Sequence, residues 1–164
     1  MGNEVSYHKL AQTVGNIDTA TVEKYLDLLE KAFVIYKLSA FSRNLRNEIK
    51  KGKKYYFYDN GIRNVLISNF SAPGMRQDKG ALWENFLLAE RLKHNHYSSK
   101  FINVYFWLTH DKAEIDYIEE EDGMLNAFEF KWKEKKVKFA SSFLEAYPNH
   151  QTAVISLSDF EHFI

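Results

Sequence analysis

The sequence predicts an α/β chain of the α+β kind in two parts: a winged helix-turn-helix over residues 1–74, and an αβββαβ unit with a mixed sheet over residues 75–164. Three observations predict it. Apolar residues recur at helical spacing before residue 33 and again after residue 78. Runs rich in Val, Ile, Tyr and Phe follow each of those helical stretches. Ser71-Ala-Pro-Gly74 breaks both patterns and marks the boundary.

In order along the chain, Tyr7, Leu10, Ala11 and Val14 predict a first helix that stops at Gly15. Thr19 or Thr21 can cap a second helix, in which Val22, Tyr25, Leu26, Leu29, Ala32 and Phe33 make an apolar stripe. Residues 34–41 and 54–58 read as strands of a hairpin. Helix, turn, helix and hairpin together make the winged-helix pattern. Asp59-Asn-Gly61 is a turn signal, followed by a short helix over 62–70. A long helix covers 78–97. Strands follow at 102–109, 114–120 and 124–132, with Asp122-Gly123 a strong hairpin turn between the last two. A helix over 137–147 ends at Pro148-Asn149, and a strand over 153–157 completes the order.

Of 164 residues, 45% are hydrophobic, and 10 Tyr, 13 Phe and 3 Trp supply bulky core material, which excludes a disordered chain. The absence of Cys excludes a disulfide framework and thiolate metal ligands, and fits a reducing compartment. No apolar run reaches the roughly 20 residues needed to cross a bilayer, so a cytoplasmic protein without membrane contact is expected. The six His are scattered, and His94-x-His96 has the wrong spacing for one helical face, so no zinc site is assigned.

Net charge is zero, with 22 basic and 22 acidic residues, but residues 1–63 carry 11 Lys/Arg against 7 Asp/Glu and residues 64–164 carry 11 against 15. The sharpest basic stretch holds Arg43, Arg46, Lys50, Lys51, Lys53 and Lys54 against Glu48 alone. A basic loop of that kind is a candidate for nucleic-acid phosphates, the other reading being a solvated loop.

One constellation suggests chemistry. Asp116, a tight turn at Asp122-Gly123, and then Glu129-Phe-Lys131 form the layout of a metal-dependent nuclease centre, with Glu84 upstream on a helix. Residues two apart on a strand share a face, so Glu129 and Lys131 point one way, as do Glu114 and Asp116. Strands lie about 4.8 Å apart, which allows Asp116 and Glu129 to converge on one Mg²⁺ or Mn²⁺ ion. Such an ion polarises a phosphoryl oxygen and lowers the pKa of bound water, while Lys131 assists the nucleophile. Glu84 interrupts an apolar helix face beside Leu87 and Leu88, and there needs a partner; it supports the site, or pairs with Lys131. The plainer reading is that these acids and the lysine satisfy one another on a strand face.

The αβββαβ order with Glu84, Asp116 and Glu129-Phe-Lys131 resembles the PD-(D/E)XK nuclease superfamily over roughly residues 78–158, which implies a restriction-endonuclease-like fold. A second resemblance covers nearly the whole chain. Thr21-Val-Glu-Lys-Tyr-Leu-Asp-Leu-Leu-Glu-Lys-Ala-Phe-Val-Ile35, Tyr56-Phe-Tyr-Asp-Asn-Gly61, Gly80-Ala-Leu-Trp-Glu-Asn-Phe86, Tyr105-Phe-Trp107 and Glu114-Ile-Asp116 resemble the C-terminal region of prokaryotic predicted AAA+-type ATPases, whose tail is a nuclease-like domain of unknown function. This implies an ATPase domain N-terminal to the region, with this chain a fragment of the whole. The chain itself has no Gly-x-x-x-x-Gly-Lys-Ser/Thr, Gly52-Lys53 lacking the rest of that loop, so no ATP site is expected in it. The expected function is a nucleic-acid-binding, nuclease-like module of such an ATPase, with DNA as a partner. The alternative is a catalytically inactive protein-interaction or regulatory scaffold.

Overall fold

The computed structural model describes residues 2–43, 46, 48, 49 and 51–164. Five α-helices and six strands run in the order α1 (Tyr7–Thr13), α2 (Thr19–Lys31), β1 (Ile35–Ala40), β2 (Lys53–Phe57), α3 (Asn60–Leu66), α4 (Lys79–Tyr97), β3 (Asn103–Leu108), β4 (Glu114–Glu121), β5 (Met124–Phe130), α5 (Ser141–Ala146) and β6 (His150–Ile155) among the described residues. The strands form one mixed sheet of order β2-β1-β3-β4-β5-β6.

The N-terminal hairpin is part of that sheet. β1 pairs antiparallel with β2 and parallel with β3, through Ser39↔Tyr105 and Ala40↔Phe106. Phe41 N–H continues the junction to Phe106 C=O at 2.7 Å. Asn85, fully buried on α4, ties the hairpin down from above: its amide accepts from Phe57 N–H at 2.8 Å and donates to Phe57 C=O at 2.9 Å, imitating a neighbouring strand.

Local chemistry sets the element ends. Ser6 caps α1, its hydroxyl accepting from Lys9 N–H. Asp18, rather than either threonine, holds the cap position of α2, and its carbonyl accepts from Val22 N–H. Of the apolar stripe of α2, only Val22 is fully buried, whereas Tyr25, Leu29 and Phe33 stand exposed. Asp59 caps α3 through Gly61 N–H. Asp122 and Gly123 both take positive φ, at 50° and 79°, as the tight hairpin turn between β4 and β5 requires.

Several spans differ from expectation, α3 ending at Leu66 rather than 70 and β5 at Phe130 rather than 132, and two of the differences have a local cause. Helix α5 begins at Ser141, not 137, because Lys135, Lys136 and Lys138 would crowd like charges onto the positive end of the helix dipole. Strand β6 runs over His150–Ile155 and stops there because the Asp159 carboxylate captures Ser156 N–H at 2.6 Å, turning the chain before Leu157.

Each sheet face has its own core. On one, α4 packs Trp83, Leu87 and Leu88 against Tyr36, Tyr56, Phe106, Tyr117 and Phe130. On the other, Phe143 and Tyr147 around α5 cover Phe41, Trp107, Ile115 and Ile118. Within β4, Asp116 and Tyr117 together face a single residue of β3, Phe106, between the pairs Trp107↔Ile115 and Tyr105↔Ile118. This β-bulge re-aims the side chains at the head of β4.

Candidate acidic site

The bulge places Asp116 where β4 and β5 part. The last paired residues there are Tyr117 and Phe128, and the Asp116 carboxylate takes the next free donor, Phe130 N–H, at 2.8 Å. The site is thereby fastened to the backbone of β5. Glu129 is buried beside it, and Lys131, held by its own N–H to Ile155 C=O at 2.9 Å, follows on the same strand line. The Lys131 ammonium donates to Glu129 at 2.6 Å and lies 3.5 Å from Asp116. Asp116, Glu129 and Lys131 therefore converge as the two-residue strand spacing predicts.

Glu84 reaches the same region from α4. It accepts a 2.6 Å hydrogen bond from the Tyr56 hydroxyl on β2; that partner, and not Lys131, holds it. The N-terminal segment closes against the same carboxylate, for a Cβ at Gly2 would come within 2.9 Å of Glu84 Oε2, and Gly2 has φ +74°. Burial and the nearby charge of Asp116 raise the Glu84 pKa, while Lys54 and the Tyr56 hydroxyl oppose the rise. Burial also lifts Tyr56, with the Glu84 charge adding to it.

The same forces act more strongly on Glu129. Burial and repulsion from Asp116 push it up to about 7, against the pull of Lys131. Burial works against the charge of Lys131, but Glu129 and Asp116 outweigh it and hold the ammonium above its usual range. Glu114 stands at the edge of the group, paired with Lys54. Among the described residues, no three His, Cys, Asp or Glu side chains are grouped as a metal-ligand set.

The residues considered for phosphate contact separate in space. Lys54 is buried, its ammonium on Glu114 and 4.9 Å from the Phe106 ring centroid. Arg43 makes a two-pronged bridge to Glu120 at 2.5 and 2.8 Å. Lys53 donates to the Tyr7 hydroxyl at 3.0 Å. Arg46 and Lys51 are exposed, and Lys50 lies outside the described residues.

A second basic stretch, absent from the sequence reading, follows the site directly. Lys131, Lys133, Lys135, Lys136 and Lys138 fall within eight positions, and the last four are exposed. The charge run is visible in the sequence, divided between the end of the strand expected over 124–132 and the start of the helix expected over 137–147. Tyr56 was also missed, since no linear pattern joins it to Glu84.

Residues 1–73 match a domain of unknown function, DUF8612, and residues 79–163 match another, DUF4143. Uncharacterized proteins of Mycobacterium bovis and Mycobacterium tuberculosis are each 29% identical to this chain over 128 residues, covering 74% of it and 27% of their own length. An uncharacterized protein of Haemophilus influenzae is 40% identical over 52 residues, covering 32% of this chain and 13% of that protein. The chain thus spans about a quarter of the mycobacterial relatives it matches. No solved structure matches it significantly. Among the described residues, no helix is long and apolar enough to cross a membrane. The match over 79–163 takes in α4, the bulged strand and the whole acidic group, and by it the chain belongs to the DUF4143 family.

Proposed function

We propose that this chain is the C-terminal, nucleic-acid-binding module of a longer AAA+-type ATPase, and that its acidic group is a nuclease-like centre hydrolysing phosphodiesters with Mg²⁺ or Mn²⁺. The observation that carries the reading is the convergence of Asp116 and Glu129 with Lys131 between them, on a bulged strand, with Glu84 behind. In the same reading α1, α2 and the β1–β2 hairpin are a winged helix whose hairpin has joined the sheet of its neighbour.

The donor set suits such an ion. Asp116 and Glu129 would hold it, since Mg²⁺ characteristically takes one or two carboxylates and fills its shell with water and substrate phosphate. Burial, with repulsion from Asp116 added to it, lifts Glu129 to about 7, and that repulsion is the kind a divalent cation relieves. When bound, the ion supplies Lewis-acid polarisation of the phosphoryl group and a more acidic water. Lys131 orients the nucleophile and offsets developing negative charge. Glu84, fixed by Tyr56, keeps the field of the group negative from the helix side.

Incubating the chain with single- and double-stranded DNA and with RNA, in Mg²⁺ or Mn²⁺, tests the reading. Cleavage that disappears in both Asp116→Ala and Glu129→Ala is expected. Activity absent from the wild type, or indifferent to both changes, overturns it.

A second reading, that of an inactive scaffold for the ATPase, draws on a specific observation: Lys131 already pairs with both carboxylates internally. It predicts no Mg²⁺-dependent change in stability or cleavage, and retained association with the remainder of the longer protein in the Asp116→Ala variant.

A further inference from the structure

On the α4 side of the sheet lies a cavity of about 430 Å³, a size ordinary for small-ligand sites. Trp83, which precedes Glu84, and Trp132, which follows Lys131, both line it, together with Phe86 and Phe160. The rings form a nest around Trp83: Phe86 stacks on it at 5.7 Å and 25°, while Trp132 and Phe160 meet it edge-on at 5.7 and 5.3 Å. Aromatic density alone would mean core. Here, however, the lining also carries polar groups with no partner.

The indole N–H of Trp83 has no hydrogen-bond acceptor among the described residues, although Trp83 is only 5% exposed. The side-chain oxygens of Asn60 and Asn64, both cavity-lining residues, likewise have no donor. The Asn60 amide nitrogen is committed to Leu82 C=O at 2.9 Å, which fixes its oxygen as the free end. Buried polar atoms left in this state are costly, by about 1–3 kcal/mol each, and call for a ligand offering both an acceptor and donors. Lys79 lines the cavity with no ion-pair partner among the described residues, and the exposed Lys133, Lys135, Lys136 and Lys138 follow Trp132 in the chain. Flat faces, mixed donors and acceptors, and a cation at the wall are together the complement of a planar heteroaromatic ring attached to phosphates.

We infer that this cavity receives an unstacked nucleobase of a single-stranded nucleic acid, with the adjacent backbone phosphates on Lys79 and the lysines of residues 133–138. The inference deepens the nucleic-acid reading given above and rests on it for the class of ligand. An apolar protein side chain fits less well, because it leaves the Trp83 N–H, the two asparagine oxygens and the lysines unanswered.

The test measures binding by fluorescence anisotropy, in EDTA so that cleavage plays no part. The probes are a labelled single-stranded DNA, the same strand with abasic sites, the corresponding duplex and an aromatic-rich acidic peptide. The expected result is that the single strand binds, that abasic substitution and Trp132→Ala each weaken it by roughly tenfold or more, and that Lys79→Gln lessens its salt dependence. Asn64→Ala, a smaller change at the cavity wall, weakens binding in the same direction should Trp132→Ala fail to fold. Equal binding of the abasic strand, preference for the duplex, tighter binding of the peptide, or no binding to the single strand overturns the inference. Base-dependent binding without any Mg²⁺-dependent cleavage would sink the phosphodiesterase reading alone, and cleavage with base-independent binding would sink the cavity assignment alone.

Discussion

Tyr56 on β2 donates its hydroxyl hydrogen to Glu84 on α4 across 2.6 Å, so the N-terminal hairpin holds a carboxylate of a site otherwise built from the C-terminal half. Tyr56 is fully buried, and its removal leaves that carboxylate without its donor. Tyr56→Phe is expected to lower stability by about 1.5–3 kcal/mol, the usual contribution of a hydrogen bond to a charged partner. Urea unfolding measures it, and a change within error would mean that Glu84 finds another donor.

Asn85 clamps both backbone groups of Phe57. Asn85→Ala strands a buried N–H and C=O at the edge of the sheet, so a loss of about 2–4 kcal/mol is expected. Asn85→Asp keeps the acceptor but sets a buried carboxylate oxygen against the Phe57 carbonyl, and should cost more than the alanine at neutral pH. Urea unfolding ranks the two, and either variant as stable as the wild type would contradict the clamp.

Glu119 is buried on β4, bridged by Arg91 at 2.8 Å and by Asn95 at 2.6 Å, with the Tyr117 hydroxyl at 3.1 Å. Burial alone would raise its pKa, yet Arg91, Asn95 and Tyr117 reverse the sign and hold it below the usual 4.5. A carboxylate depressed in the folded state contributes stability that is full above the unfolded value and is lost as pH falls through the folded one. The expected acid limb of the stability curve therefore starts below pH 4.5 and flattens in Glu119→Gln. That variant also leaves Arg91 half-buried without its anion, at a cost of about 3 kcal/mol near neutrality. Chemical unfolding at several pH values shows whether both effects occur.

Lys54, on β2, is buried on Glu114, whereas Lys135 and Lys136 are exposed. Lys54→Met should leave oligonucleotide affinity unchanged. Lys135→Gln with Lys136→Gln should reduce the salt slope of single-strand binding by roughly 0.7 per lysine. Binding titrations across a range of salt concentration give both numbers, and a slope indifferent to the double change would remove this loop from the interface.

Much of the architecture is legible in the sequence because its signals are local. The long helix α4 announces itself by spacing, and the β4–β5 hairpin by Asp122-Gly123, whose positive φ values are those the dipeptide is chosen for. Asp116 meets Glu129 and Lys131 because a hairpin register and a period of two suffice to bring them together. What escapes is non-local. Nothing in the linear pattern joins β1 to β3, the extra residue of the bulge is invisible without its partner strand, and Tyr56 meets Glu84 only once that sheet exists. The lysines after Trp132 escape for another reason, since helical spacing further on outweighed the electrostatic penalty of beginning a helix among them.

The parallel ladder between β1 and β3 also governs how the chain can be divided. Cut between the two family matches, at residues 74–78, and the C-terminal half would carry β3 as an open edge, its Tyr105-Phe-Trp107 stretch offering unpaired backbone to any other chain. The hairpin is the cover on that edge as much as it is a unit in its own right, so the two halves are expected to fold as one cooperative body and to aggregate when made apart.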